Sequence, residues 1–438
     1  MPETVQRPEL NRVLGLFALT VYGVGDILGA GIYALVGKVA EISGPAAWLS
    51  FLVAAVVAVL TGLSYAELSS RQPFCAGAAG YCRRAFSHPI WAFLVGIFVL
   101  TSGLNSAATV SQAFVGYLNQ FIEMPTLLAS VGLLLLMSLL SFWGMRESSS
   151  ANLVMTAVEL SGLILVMVVG FWVASGLDSG QAWDRLAPTE GIGPVFTAAT
   201  IAFFAYIGFE DLANVAEEAK DPVRTLPRAI LIAIAVSCVF YMTVTVSALM
   251  AVTSQGLSTS ETPLMSVLTS AGVPVSPQAF AVIALFAICN TGLLNLIMAS
   301  RLAYGMACEG LLPAPLATVH PVRRTPWVGV VLAFILAALI SATGQVRVLA
   351  QTTTLLLFFV FGMIHLSLIV LKKRTPNPGP QVFKIPVWIP YAGIASCLFL
   401  ASRSPLDAYL RALVALIIGL GLYVIAPARR KKAVEARA

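Results

Sequence analysis

Charge is what this chain has least of. Of 438 residues, 11% are Asp, Glu, Lys or Arg and 58% are hydrophobic, with a mean hydropathy of +0.90. A soluble domain is about 25% charged, so a water-soluble globular protein is excluded. Histidine is nearly absent, with three in all, and the six cysteines, Cys75, Cys82, Cys238, Cys289, Cys308 and Cys397, are scattered. No pair has metal-ligand spacing, so neither a metal site nor any other cofactor is expected. Cys75 and Cys82 fall in a loop expected on the reducing cytoplasmic side, so no disulfide is expected either. No small-residue cleavage site follows the first apolar run, which should therefore remain as a membrane helix. No loop is long enough to build a separate core, and the alternating ten-residue pattern of barrel strands is missing.

What the chain does have is apolar runs of about twenty residues, the length that crosses a bilayer. Twelve are read, at 13–36, 44–68, 90–118, 124–144, 151–176, 194–214, 228–253, 278–299, 327–343, 348–371, 386–402 and 407–426. The net charge of +6 does not mark a nucleic-acid groove. The basic residues lie in alternate loops (Arg71, Arg83 and Arg84; Arg146; Lys220, Arg224 and Arg228; Arg301, Arg323 and Arg324; Lys372, Lys373 and Arg374) and in the tail Arg429-Arg430-Lys431-Lys432. Opposite loops carry only Lys38, Arg185, Arg347, Arg403 and Arg411. That is the positive-inside pattern, and it places both termini in the cytoplasm of a cell (plasma or inner) membrane protein. An even number of spans is required for this, and twelve is even. Between spans seven and eight, 254–277 holds a polar cluster and then an amphipathic run, read either as a short interfacial helix or as an ordinary loop.

Two of the apolar runs are interrupted. Gly23-Val24-Gly25-Asp26-Ile27-Leu28-Gly29-Ala30-Gly31 lies in the first, and Phe204-Ala205-Tyr206-Ile207-Gly208-Phe209-Glu210-Asp211 in the sixth. Glycine weakens a helix by about 1 kcal/mol against alanine, and a carboxylate near the bilayer centre costs about 2.5–3.5 kcal/mol. Paired interruptions at corresponding places in two halves point to a transporter's binding site. A helix broken at depth frees N–H and C=O groups that must be buried in protein or line a wet cavity. The positive end of the continuing half-helix suits a carboxylate, which assigns that group to Gly29-Ala30-Gly31. The free carbonyls of Phe204, Ala205 and Ile207 suit an ammonium group. An α-amino acid carries both groups on one carbon. The competing reading is that the small residues allow close helix packing.

The run Gly29-Ala30-Gly31-Ile32-Tyr33 resembles the first-span signature of the amino acid–polyamine–organocation (APC) superfamily, amino acid permease type. Further resemblances follow in order: Tyr65 to Leu68 with Pro73 and Gly77-Ala78-Ala79-Gly80-Tyr81; the sixth-span run with Glu217, Glu218, Pro222, Arg224 and Pro227; and Asn295, Ser300-Arg301, Met306-Ala307, Gly310 and Leu312-Pro313. The resemblance implies an all-α LeuT-type fold of 12 transmembrane helices with helices 1 and 6 broken. Residues 13–176 and 194–371 would form inverted repeats of five spans each. A cytoplasmic segment 1–12 precedes them, and accessory spans 386–426 and a basic cytoplasmic tail 427–438 follow.

Asp26 and Ile27 lie one helical turn or less from Gly29 and should face the site. Asp26, where similar permeases often carry a small or neutral residue, binds a cationic side chain, a proton or the span's own backbone. Glu159 in span five lies near the point where similar proton-coupled permeases place a lysine. A buried glutamate there is a candidate coupling group or a structural residue. Glu210 reads a distal substrate group or pairs with span ten. Glu67, Glu217 and Glu218 are expected to pair with Arg71, Arg224 or Arg301 across an inner gate. The function expected is secondary active transport of amino acids by alternating access, with a proton as a candidate coupling ion. Exchange, amine or polyamine transport, and a non-transporting amino acid sensor are the alternatives. No nucleophile or metal constellation supports an enzyme.

Overall fold

In a computed structural model the described residues are 10–425, apart from 74, 75, 120, 190, 261, 273–275, 344, 345 and 405. Cys75 and the tail over 427–438 lie outside them. Among the described residues the regular structure is helical, and the β pairing is an isolated bridge between Leu14 and Ala219. The helices are α1 (Leu16–Ser43), α2 (Ala47–Arg71), α3 (Gly77–Ala85), α4 (Pro89–Leu118), α5 (Thr126–Trp143), α6 (Met145–Ala174), α7 (Ser179–Asp184), α8 (Gly193–Tyr206), α9 (Pro222–Ala251), α10 (Ser254–Thr259), α11 (Pro263–Ser270), α12 (Pro277–Cys308), α13 (Trp327–Thr343), α14 (Val346–Arg374), α15 (Trp388–Ala401) and α16 (Leu406–Ile425). A 3-10 segment, Phe209–Glu218, follows α8 after Ile207 and Gly208.

Ten stretches of the described residues are long and apolar enough to cross a membrane. Shorter apolar helices, α13 and α15, stand where the ninth and eleventh runs were read. α9 begins at Pro222, six residues earlier than hydropathy indicates, and carries Pro227 within it. Proline lacks the N–H that would bond the carbonyl four residues back. That carbonyl, on Val223, instead accepts the Ser70 hydroxyl of α2 at 2.8 Å, so the helix continues. Within the segment 254–277 the described residues include two short helices, α10 and α11, the first capped by Thr253, whose hydroxyl accepts from Gly256 N–H. Leu257, Leu264, Val267 and Leu268 are buried. A side chain on Gly37 of α1 would strike Leu257 and Pro263, so the pair seats directly on the second half of α1.

Buried ionic groups tie one end of the bundle. Glu67, at the end of α2, is fully buried and meets Arg71 and Lys372, each at 2.7 Å, and the N–H of Ile385 at 2.9 Å. Arg301 of α12 is equally buried. It contacts Glu218 at 3.3 Å and donates to the hydroxyls of Ser141 and Ser300. Arg224 meets Asp221 instead, at the surface. The same region holds the start of α1: Leu14 N–H donates to Glu218 C=O, and Lys220 N–H donates to Leu14 C=O. Buried His365 of α14 bonds the hydroxyls of Ser64 and Thr61 on α2, and Gly393 of α15 lies flat against its ring.

Candidate functional site

Both interrupted runs break as helices. Within α1 the non-helical residue is Gly29 (φ −34°, ψ −155°). A Cβ there would overlap the Thr291 hydroxyl of α12, so glycine lets α12 approach at the break. α8 ends at Tyr206, Ile207 is extended, and Gly208 has φ +133° before the 3-10 segment begins. Few L side chains adopt that backbone. A Cβ on Gly208 would also lie 2.9–3.1 Å from the backbone carbon, carboxyl carbon and carbonyl oxygen of Asp26. On the other side of the break, Gly31 sits against Ala205, where a Cβ would lie 3.1 Å from its Cα. The two breaks therefore press on each other at two glycines, one contributed by each run.

Between them is a cavity of about 30 Å³, room for water and not for an amino acid. Asp26, Ile27, Gly29, Gly31, Phe204, Ala205 and Ile207 line it, so seven of the residues anticipated from the sequence meet at one place. The backbone of Ala30 lies in the same turn, and its side chain is outside the description. Glu210 does not reach the wall. Its carboxylate turns back and accepts the Gly208 N–H at 3.0 Å. The next residue, Asp211, lines the cavity instead, joined by Ser106 of α4 and by Thr291 and Asn295 of α12.

The freed carbonyls are partly engaged. The Tyr241 hydroxyl of α9 reaches Ala205 C=O at 2.7 Å and also Ile27 C=O, one acceptor from each broken run. Phe204 C=O accepts the Ile207 N–H. A carbonyl has two lone pairs, so each retains one acceptor site. Tyr241 carries no signal in the sequence, being one tyrosine on a greasy span.

Behind α1 lies a second polar group that hydropathy conceals. Asn152 donates to Asn290 at 2.8 Å and to Thr156 at 3.2 Å, and Asn290 donates to Thr156 at 3.0 Å and to Gly25 C=O at 3.4 Å. Gly25 has no side chain because one would overlap this cluster. Glu159 stands beside it on α6, fully buried. It faces Asn290, yet neither carboxylate oxygen has a hydrogen bond of ordinary geometry. The Tyr33 hydroxyl bonds the backbone C=O of Glu159 at 3.1 Å, which fixes the second half of α1 to α6. A larger cavity, about 90 Å³, opens at the surface between Phe17 and Leu153 and contains no titratable group.

The amino acid permease family matches residues 14–420. The chain is 30% identical to the branched-chain amino acid permease BcaP of Bacillus subtilis (strain 168), over 97% of this chain and 94% of that one. It is 32% identical to cationic amino acid transporter 4 of Mus musculus, over 88% of this chain and 65% of the mouse protein. It is 28% identical to the methylthioribose transporter of Bacillus subtilis (strain 168), over 95% and 93%. These relatives are transporters and not enzymes, and the ten apolar stretches agree with a multi-pass membrane protein. With facing helix breaks, a cavity between them and a family match over nearly its whole length, the chain belongs to the amino acid permeases of the APC superfamily.

Proposed function

We propose that the cavity binds the α-amino and α-carboxyl groups of an amino acid and that the chain carries it by alternating access, coupled to a proton. The facing breaks support this reading most directly. The start of the half-helix after Gly29 would offer its backbone N–H groups to the carboxylate, and the carbonyls of Phe204, Ala205 and Ile207 would take the ammonium group. At about 30 Å³ the cavity is contracted, so loading requires α1 and α8 to separate. In this reading the twelve apolar helices adopt the 5+5 inverted arrangement, with α13 and α15 as the ninth and eleventh spans and both termini cytoplasmic in a plasma or inner membrane. Glu218 with Arg301, and Glu67 with Arg71 and Lys372, hold the cytoplasmic end shut. The relatives named above differ in what they carry, so they support transport across the family more strongly than any one substrate.

Glu159 is assigned the coupling role because a fully buried carboxyl group without a bonded partner must take up a proton or a cation as its surroundings change. One proton moved through 100 mV is worth about 2.3 kcal/mol, roughly fiftyfold accumulation at 1.36 kcal/mol per decade. Glu159→Gln is expected to abolish pH-gradient-driven accumulation in proteoliposomes while equilibrium binding of the same labelled amino acid stays near wild type. Unchanged accumulation in the variant would reject the assignment. Exchange is the competing reading, and uptake that requires internal amino acid would favour it.

Tyr241→Phe tests the geometry of the site. Removing one net hydrogen bond is worth about 0.5–1.5 kcal/mol, so affinity is expected to change about two- to twelvefold. Equilibrium binding to the detergent-purified variant measures this, and an unchanged affinity would show that the bridge between the two breaks is dispensable.

A further inference from the structure

Asp26 and Asp211 come from different broken runs, yet their carboxyl groups lie within hydrogen-bond reach of each other. Both are at least nineteen-twentieths buried, at 5% and 4% exposure, and both line the cavity. One carboxyl oxygen of Asp26, Oδ2, has no hydrogen-bond partner. Within electrostatic reach of the pair are Glu210 on the 3-10 segment, Glu159 from α6, Tyr22 from α1, Tyr65 from α2 and Tyr241 from α9. All are acids or phenols. Arg301, the cation of α12, is engaged by Glu218. Among the described residues no ion pair reaches Asp26, Glu210 or Asp211.

Two carboxylates at such a distance, both charged and out of water, repel strongly. A hydrogen bond between them needs a proton, as in any paired-carboxyl site. We propose that Asp26 and Asp211 form a proton-binding site in the cavity wall, a carboxyl pair holding one proton that joins the first broken run to the sixth. The proton sits on one oxygen and is donated to the other carboxylate. When it leaves, the O–H bond breaks toward cavity water, and the two negative charges drive the runs apart. Gly208, which brings Asp26 against the second break, is what lets the pair form. This places a proton at the junction that must open for loading, distinct from the Glu159 position behind α1. The site's use in transport rests on the cavity being the substrate site.

The pair is tested without substrate. Infrared difference spectra of the full-length protein in liposomes, recorded as pH is raised, should show loss of a protonated-carboxyl C=O band that shifts in D2O. Asp26→Asn and Asp211→Asn should each remove that band, while Glu159→Gln and Glu210→Gln retain it. Glu159 contributes a glutamate band of its own, so the aspartate component, identified by its shift on carbon-13 aspartate labelling, decides. If that component persists in both Asn variants, or is removed by Glu159→Gln, the proposal is overturned. Wild-type protein labelled with carbon-13 aspartate keeps the test decisive if the variants do not fold. The band must shift with labelled aspartate, and a band that shifts only with labelled glutamate overturns the pair. Because no amino acid is added, failure here leaves the substrate reading standing, and failure of uptake leaves the infrared result standing.

Discussion

Arg301→Met is expected to destabilise the purified transporter by about 3–5 kcal/mol, the usual cost of stranding one partner of a buried ion pair. Arg301 is wholly enclosed, and its guanidinium serves Glu218, Ser141 and Ser300 together. Removing it leaves Glu218, with 1% exposure, as an uncompensated charge at the end of the 3-10 segment. The same backbone that carries Glu218 accepts Leu14 N–H, so the loss spreads to the start of α1. The double variant Arg301→Met with Glu218→Gln should recover a large part of the stability, because a neutral amide is cheaper to bury than a lone carboxylate. Thermal unfolding followed by fluorescence-detected gel filtration measures both. A single variant as stable as wild type would show that the pair does not hold this end of the bundle.

Gly208→Ala is expected to reduce uptake severely while the protein still inserts and purifies. At φ +133° a side chain costs about 1–3 kcal/mol of backbone strain, which corresponds to roughly five- to 150-fold. The added Cβ would also meet Asp26 at 2.9 Å and move it from the cavity wall. Gly116→Ala is the matched control, since nothing lies within 4 Å of a Cβ there, and it should transport normally. Equal uptake by the two variants would mean that close contact between the breaks is not required.

Much of this was legible in the sequence, for reasons that differ by residue. Hydropathy locates the spans because each must present apolar surface to lipid. The breaks are visible because glycine and carboxylate are both costly at depth, and seven of the anticipated residues line one cavity. The ion pairs of Glu67 with Arg71 and Glu218 with Arg301 follow from charges stranded at span ends. What was not legible depends on contacts between spans. Tyr241 looks like any aromatic in a greasy helix until two carbonyls converge on it. Asn152 and Thr156 lie one turn apart on α6, but Asn290, which completes the cluster, is more than 130 residues further along the chain. Of the adjacent acids Glu210 and Asp211, a one-residue difference on a 3-10 segment decides which one turns to the backbone and which to the cavity. Periodicity written for an α-helix cannot assign that difference. Pro227 misplaces the start of α9 because the compensating hydroxyl, Ser70, lies on another span.

The central claim is that the facing breaks form the substrate site of an amino acid transporter. Uptake of a panel of labelled α-amino acids into proteoliposomes tests it most directly, using wild type beside Gly31→Val, whose side chain would be driven into Ala205. The account predicts saturable, competable uptake of at least one amino acid by wild type and background uptake by the variant. No uptake of any amino acid by folded, correctly reconstituted wild type, or undiminished uptake by Gly31→Val, would contradict it.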